Sequence, residues 1–282
     1  MIHLNLIGWG DIDLWCITVY NENKKLRSIH MNKYLKNLNR IEFVVTSACT
    51  GKCKHCSQGD HNTCENIDKN IAVNALCKIA AEYTIKSVMT FGGEPLLCPE
   101  TVCEIHKAAR EKGIPQRQLI TNGYFSKKRD TIKLVAQSII ESGINEILLS
   151  VDAFHQETIP IEYVTLFAEA VNVPDIELNV SPAWLVSPDH SNPYNEKTAE
   201  ILDIFNKMGI KTGEGNIIFP SGNALKYFGE YFDLSTESKN PYQEDPYDIR
   251  AICFSANGDI LGKNIYKQDI TEILSSYIPK NA

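Results

Sequence analysis

Short apolar runs and amphipathic helical patterns alternate along residues 41–232. The apolar runs predict strands at 41–46, 85–91, 118–121, 146–151, 176–180 and 216–219. Between them, apolar residues recur at helical spacing near 68–83, 99–112, 127–142, 160–172 and 195–208, and a sixth helix begins at Ser221. This alternation predicts a parallel sheet whose strands are joined by crossover helices.

The number of strand–helix units predicts how far the sheet closes. Six units are two fewer than a closed parallel barrel contains, so we predict an α/β fold with a six-unit (β/α)6 partial TIM barrel over residues 41–232. Parallel barrels bind their ligands on the loops that follow the carboxyl ends of the strands. We therefore expect the chemistry of this chain to lie on those loops.

The segments outside the predicted barrel show different patterns. Residues 1–40 hold two short apolar runs around a glycine-containing turn, which predict an N-terminal β-hairpin extension. Residues 233–249 carry two prolines and five acids against one lysine, which predicts a loop: either a solvated connection or a lid over the barrel mouth. In residues 250–282, the runs 251–254 and 259–261 flank Asn257-Gly258 and predict a hairpin, which a short helix over 269–277 follows.

Composition narrows the class of partner and the location. The 282-residue chain has 28 basic residues against 35 acids, a net charge of −7, which argues against nucleic acid or an anionic membrane as the partner of the whole surface. No apolar stretch approaches the roughly 20 residues of a membrane span, and we see no export signal, so we expect a cytoplasmic protein. The odd total of nine cysteines then favours reduced thiols over disulfides.

Three of these cysteines form a motif with metal-ligand spacing. Cys49, Cys53 and Cys56 follow the first predicted barrel strand as C-x3-C-x2-C. Clustered thiolates select zinc or an iron–sulfur cluster. A closed zinc site needs a fourth ligand, which Cys64 or His61 could supply. A [4Fe-4S] cluster with three protein ligands would instead leave one iron open to a small molecule.

A second motif, Phe91-Gly92-Gly93-Glu94-Pro95, follows the next predicted strand. The two motifs in this order resemble those of the radical S-adenosylmethionine (SAM) superfamily, which characteristically uses a six-unit partial barrel. The resemblance implies one [4Fe-4S] cluster on the three cysteines and SAM bound through its amine and carboxylate at the open iron. It also implies an external one-electron reductant such as flavodoxin or ferredoxin.

The glycine pair of the second motif suits a close approach of backbone to a ligand. Without side chains, Gly92 and Gly93 leave the main chain accessible, Glu94 adds a carboxylate and Pro95 fixes the turn. By resemblance, this loop holds the methionyl amine of SAM, with Glu94 in support. The alternative is an ordinary turn between a strand and a helix.

Further polar residues lie near the motifs or at predicted strand ends. By resemblance, His55 occupies a position where the family usually carries an aromatic residue near the adenine. Asn122 and Ser150 are placed to hydrogen-bond the ribose or carboxylate of SAM, although Asn122 also suits a plain turn. Asp152 and His155 are candidates for binding substrate or exchanging a proton with it. Alternatively, Asp152 caps a turn and His155 is a rim residue.

The C-terminal pattern resembles a fragment of the SPASM or twitch extension of peptide-modifying radical SAM enzymes. That extension binds an auxiliary cluster through several thiolates, whereas residues 250–282 contain only Cys253. We therefore predict a degenerate structural remnant without a second cluster.

Together these patterns predict an enzyme. We expect it to cleave SAM reductively to a 5′-deoxyadenosyl radical and to modify a peptide substrate by hydrogen abstraction. The Cys-Lys-His-Cys form of the motif and the SPASM-like terminus motivate the choice of a peptide. The alternatives are a small metabolite or nucleoside as substrate and, outside catalysis, a zinc-stabilised interaction module.

Overall fold

A seven-stranded sheet with only parallel pairings lies at the centre of the computed structural model, which describes residues 32–59, 63–233, 235 and 243–280. Five of its strands are β1 (Arg40–Thr46), β2 (Ser87–Gly92), β3 (Gln116–Thr121), β4 (Glu146–Ser150) and β5 (Glu177–Ser181). The other two are β7 (Lys211–Thr212) and β9 (Ala251–Phe254), and the order across the sheet is β7-β5-β4-β3-β2-β1-β9. The sheet is open, which confirms the predicted partial barrel, and β9 is an addition beside β1.

Helices follow the barrel strands in the order that the sequence predicts. They are α1 (Lys69–Glu82), α2 (Pro99–Glu111), α3 (Arg129–Ser142), α4 (Ala153–Gln156), α5 (Ile161–Val171), α6 (Pro193–Lys207), α7 (Gly222–Phe228) and α8 (Ile270–Ser275). Two 3-10 helices, Pro95–Leu97 and Gly229–Tyr231, lie after β2 and α7. None of the helices among the described residues is both long enough and apolar enough to cross a lipid bilayer.

The strands of the central sheet are buried because both faces of the sheet are covered. Residues 87–90 of β2 are all buried, since helices cover one face of the sheet and the barrel interior lies on the other. In β1, burial alternates from Ile41 to Phe43, and the Phe43 ring stacks on Phe254 of β9 with 4.8 Å between ring centroids. This contact joins the C-terminal part of the chain to the barrel core.

The predicted sixth barrel strand at 216–219 was wrong. The sixth barrel strand is β7, which pairs with β5. Asn216–Ile217 forms β8, which pairs with β6 (Ala183–Trp184) in a separate two-stranded parallel sheet. The chain leaves the barrel at Gly215, where φ is +75° and a Cβ would lie 2.2 Å from the Pro182 carbonyl oxygen. After this turn, Ile218 packs in a second small core.

The predicted pairing of 251–254 with 259–261 was also wrong. β9 pairs in parallel with β1, whereas β10 (Asp259–Ile260) pairs antiparallel with β11 (Lys263–Asn264). A turn does form at Asn257-Gly258, where the Gly258 N–H donates to the Ser255 carbonyl at 2.9 Å. The open edge of β1 offers a longer ladder of backbone partners than a hairpin of this length, and β9 takes it.

Part of the predicted loop or lid at 233–249 lies at the amino end of β1. The Ile249 N–H donates to the Tyr34 carbonyl at 2.9 Å, and the Tyr277 hydroxyl donates to the Pro246 carbonyl at 3.1 Å. This end of the barrel is opposite to the loops that follow the carboxyl ends of the strands, so residues 243–249 suit a connection better than a lid. The N-terminal hairpin predicted within residues 1–40 falls on residues before Asn32, which lie outside the part of the chain that the structure describes.

One histidine is enclosed between the sheet and α2. His106 is fully buried, and its Nε2 lies 2.9 Å from the Thr90 hydroxyl of β2. Burial, together with the nearby Arg117 charge, lowers the pKa of His106 to about 3. The folded protein therefore holds a neutral imidazole that an unfolded chain would protonate near pH 6.5.

We predict that His106 makes the fold sensitive to acid. Because its pKa is lower in the folded state, stability should fall as the pH drops below about 6.5, by up to about 1.4 kcal/mol per pH unit from this group. His106→Gln keeps a hydrogen-bonding side chain beside Thr90 but does not titrate. Urea unfolding at pH 7 and pH 5 should show a smaller loss for the variant than for the wild type. An equal loss in both would contradict the assignment.

Candidate cofactor site

The three motif cysteines lie on an irregular loop, residues 47–59, which follows the carboxyl end of β1 and is called the cysteine loop below. Cys53 is buried, and Cys49 and Cys56 are half-buried. Burial, with smaller contributions from Glu94 and Cys56, raises the pKa of Cys49 to about 11. Burial also raises the pKa of Cys53, with added contributions from Asp152 and from the other two cysteines. The three thiols thus lie close enough to act on one another, and without a cation those of Cys49 and Cys53 are neutral at pH 7.

Two N–H groups point at the sulfur of Cys49. The Gly51 backbone N–H lies 3.4 Å from Sγ, and the side-chain amide of Asn122, at the end of β3, lies 3.7 Å from it. The same amide donates to the Thr50 hydroxyl at 3.3 Å. Such donors stabilise negative charge on sulfur, as a thiolate ligand requires.

The second motif packs directly on the cysteine loop through backbone atoms. Gly93 N–H donates to the Thr46 carbonyl and Glu94 N–H donates to the Ala48 carbonyl, each at 2.8 Å. A Cβ at Gly93 would lie 2.1 Å from the Ala48 oxygen, and one at Gly92, where φ is +141°, would lie 2.5 Å from the Thr46 oxygen. Both glycines are therefore required by this backbone contact, whatever else the loop binds.

Glu94 joins the ends of two barrel strands. Its fully buried carboxylate accepts hydrogen bonds from Leu96 N–H at 2.9 Å, the Thr121 hydroxyl at 2.7 Å and Asn122 N–H at 2.8 Å. Burial raises the pKa of Glu94 to about 7, although these three bonds oppose the shift. Glu94 thus fixes the position of Asn122 beside Cys49, while Pro95 begins the 3-10 helix that follows.

Asp152 caps α4 and orients His155. Its fully buried carboxylate accepts from the His155 N–H and the His155 Nδ1, both at 2.8 Å, and from Ala183 N–H at 3.0 Å. Burial raises the pKa of Asp152, but His155 and His55 more than offset this and hold it below its usual range. With three donors on one carboxylate, Asp152 is placed to act through His155.

His55 packs against His155 and Phe154 of α4. Its ring centroid lies 4.6 Å from that of His155 and 5.0 Å from that of Phe154. Burial lowers the pKa of His55 to about 4, so the imidazole is neutral, and its buried Nδ1 has no hydrogen-bond partner among the residues that the structure describes. Ser150, two residues before Asp152, lies at the carboxyl end of β4 and is in register with Ser181 of β5.

The segment after α4 supports the cysteine loop from a second side. Lys52 N–H donates to the Thr158 hydroxyl at 3.1 Å, and the Lys54 ammonium pairs with the Glu157 carboxylate at 3.1 Å. Sequence reasoning missed Glu157 and Thr158 as supports. They carry no motif, and about a hundred residues separate them from the loop.

Comparison with protein families identifies the chain. A profile described as Radical SAM superfamily matches residues 43–234, about two thirds of the sequence. The chain belongs to the radical SAM superfamily. Members of this family bind a [4Fe-4S] cluster and SAM, and membership indicates an enzyme.

Curated relatives of this radical SAM chain match part of its length. The probable GTP 3′,8-cyclase of Methanocaldococcus jannaschii is 24% identical over 129 residues, 45% of this chain and 40% of the relative. That of Methanococcus aeolicus is 29% identical over 140 residues, 47% and 42% of the two chains. The chain thus matches about two fifths of the length of these relatives.

Solved structures share the fold. Streptococcus suis SuiB bound to its precursor peptide SuiA superposes with a TM-score of 0.56 at 14% identity, over 98% of this chain and 74% of SuiB. The structure of anSMEcpe with bound AdoMet gives a TM-score of 0.53 at 14% identity, over 82% of this chain and 75% of anSMEcpe. At this identity the similarity establishes the architecture alone.

The residues present fit the cofactors of the family. Three convergent thiols supply the soft ligands that an iron–sulfur cluster takes, and the bonds at Cys49 supply donors to a ligating sulfur. Burial makes isolated thiolates unfavourable in this loop, and the positive charge of bound iron would offset that cost.

We predict that Glu94→Gln weakens both the fold and the cysteine loop. An amide in place of the carboxylate turns an NH2 group toward one of three N–H or O–H donors, which should cost about 1–3 kcal/mol. The free energy of unfolding of the cluster-free chain, measured with urea, and the iron content after reconstitution should both decrease. Glu100→Gln is the matched control, because Glu100 is exposed and pairs only at the surface with Lys69. Equal behaviour of the two variants would contradict the role of Glu94.

Proposed function

We propose that this radical SAM protein binds one [4Fe-4S] cluster through Cys49, Cys53 and Cys56, cleaves SAM reductively and modifies a peptide by hydrogen abstraction. The observation that supports this proposal best is that three motif thiols, one buried and two half-buried, come together on a loop that packs against the Gly92-Gly93 backbone. A zinc-stabilised interaction module would share the thiols. It would not require the second motif at this position.

When bound and reduced, the cluster would supply the one electron that cleaves a carbon–sulfur bond of SAM. The products would be methionine and a 5′-deoxyadenosyl radical, which would take a hydrogen atom from the substrate. The chain's own residues bind and orient. We assign the methionyl amine to main-chain oxygens of the 92–95 loop, the ribose or carboxylate to Asn122 and Ser150, and the adenine to the vicinity of His55. The electron would come from an external donor such as flavodoxin or ferredoxin.

We assign Asp152 and His155 to the substrate, beside the cysteine loop. Asp152 is saturated with hydrogen bonds, so its role is to hold His155 in one orientation. His155 would then bind the substrate or exchange a proton with it. His155 is half-buried and contacts His55, which places it beside the cysteine loop.

The surface near the cysteine loop favours a peptide over a nucleotide. The exposed apolar side chains Leu225 and Tyr227 lie on α7, whose start contacts the cysteine loop. Such side chains suit the apolar groups of a peptide better than the phosphates of a nucleotide, because they offer no partner to a charge. A small metabolite or nucleoside is the second candidate, because the matched relatives are named GTP 3′,8-cyclases.

We predict that anaerobically reconstituted protein contains about four irons per chain and shows an EPR signal that changes when SAM is added. Alanine at Cys49, Cys53 or Cys56 should abolish SAM cleavage, because three thiolates are needed to hold the cluster. Cys77→Ala and Cys253→Ser should keep both iron and cleavage, since Cys77 packs against the core and Cys253 is exposed on β9.

A colourless chain that retains stoichiometric zinc under these conditions would exclude the proposed function. Iron that persists at about four per chain in a triple alanine variant of the loop would show a second cluster, and the remnant interpretation of residues 250–282 would then be wrong.

We predict that a peptide rather than GTP donates the hydrogen. The loaded, reduced protein with SAM would be incubated separately with deuterated GTP and with the deuterated product of any short reading frame that genome sequencing finds beside the gene. Mass spectrometry of the 5′-deoxyadenosine should find deuterium from the peptide, because the radical takes its hydrogen from the substrate carbon. Deuterium from GTP instead would establish the second candidate.

A further inference from the structure

The start of α7 packs on the cysteine loop from a third side. Asn223 N–H donates to the Cys56 carbonyl at 2.9 Å, and the Ser221 hydroxyl lies 3.4 Å from the Ser57 carbonyl oxygen. This helix belongs to the sixth unit of the barrel, more than 160 residues after the loop. The sixth unit therefore contacts the backbone of the third motif cysteine.

Gly222 is the residue of closest approach. Its φ is +54°, and a Cβ built on it would lie 2.5 Å from the Ser57 oxygen, 2.7 Å from the Cys56 oxygen and 2.8 Å from the Gly59 nitrogen. All three atoms are backbone, so no rotation of a side chain can make room. Only a shift of α7 or of the cysteine loop could accommodate a side chain at position 222.

The helix is anchored in an apolar core. Ala224 and Phe228 of α7 are buried in the second small core, whose other members are Phe154, Leu185 and Ile218. The Phe228 ring lies 5.0 Å from that of Tyr194 and 5.3 Å from that of Phe154. The cysteine loop, in contrast, has no regular secondary structure and half-buried Cys49 and Cys56. A forced separation should therefore displace the loop.

We propose that Gly222 is a positioning residue for the third cluster ligand: its missing side chain lets α7 hold the Cys56 backbone in place. This inference rests on the proposed role of Cys56 as a ligand. Each cysteine then has its own support, because Asn122 donates to Cys49 and Thr158 holds the residue before Cys53. Displacing Cys56 should leave a cluster that binds less tightly.

The test compares clusters reconstituted anaerobically in the wild type, Gly222→Ala and Gly209→Ala. Gly209 is the matched control, because its φ is +72° and a Cβ there would meet nothing within 4 Å. It therefore reports the cost of a positive φ without the clash. A fourth protein, Gly222→Asn, keeps the clash but tolerates a positive φ better than alanine.

Loss of the visible cluster absorbance in a chelator should be about tenfold faster in Gly222→Ala than in the wild type, which corresponds to about 1.4 kcal/mol of strain on the loop. Gly222→Asn should behave like Gly222→Ala, and Gly209→Ala like the wild type. The EPR signal of the reduced cluster should change only in the two Gly222 variants. Circular dichroism of the cluster-free chains should show all four folded.

Two outcomes would overturn the positioning role alone: equal cluster retention in wild type and Gly222→Ala, or loss of the fold in cluster-free Gly222→Ala. The second would show that α7 gives way rather than the loop. A wild-type chain that binds no cluster at all would overturn the proposed function, and this inference with it.

Discussion

The site depends on direct backbone contact between the loops that follow β1 and β2. Two hydrogen bonds, from Gly93 and Glu94 to the carbonyls of Thr46 and Ala48, bring the second motif against the residues just before Cys49. Any side chain at Gly93 would overlap the Ala48 carbonyl. Because β1 and β2 are adjacent parallel strands, the three motif cysteines are held in a fixed position relative to the main chain of the second motif.

Buried polar side chains extend this arrangement around the barrel edge. Glu94 links the ends of β2 and β3, and Asp152 links α4 to the start of β6. An unpaired buried carboxylate would be costly, but each of these accepts three hydrogen bonds. The strand ends therefore hold their loops through directional contacts, and such contacts keep a reactive site in one geometry.

The cysteine loop is the point where several units of the fold meet. The second motif, the segment after α4 and the start of α7 each contact a different part of it. Family membership accounts for the cofactors that such a loop holds, whereas the substrate depends on the surface around it. On that surface, α7 carries both the contact to Cys56 and the exposed Leu225 and Tyr227. The helix α7 thus links the cysteine loop to the region proposed for substrate.

The sequence by itself determined the strand–helix alternation, the open six-unit barrel and the two motifs, because each rests on local periodicity or on spacing within a few residues. Only the tertiary structure decided that β9 pairs with β1, that the run after Gly215 leaves the sheet, and that Gly222 meets Cys56. These contacts join residues far apart in the chain. Which residues pair depends on which strand edge is open and on which backbone atoms approach each other. No local pattern of residues predicts either.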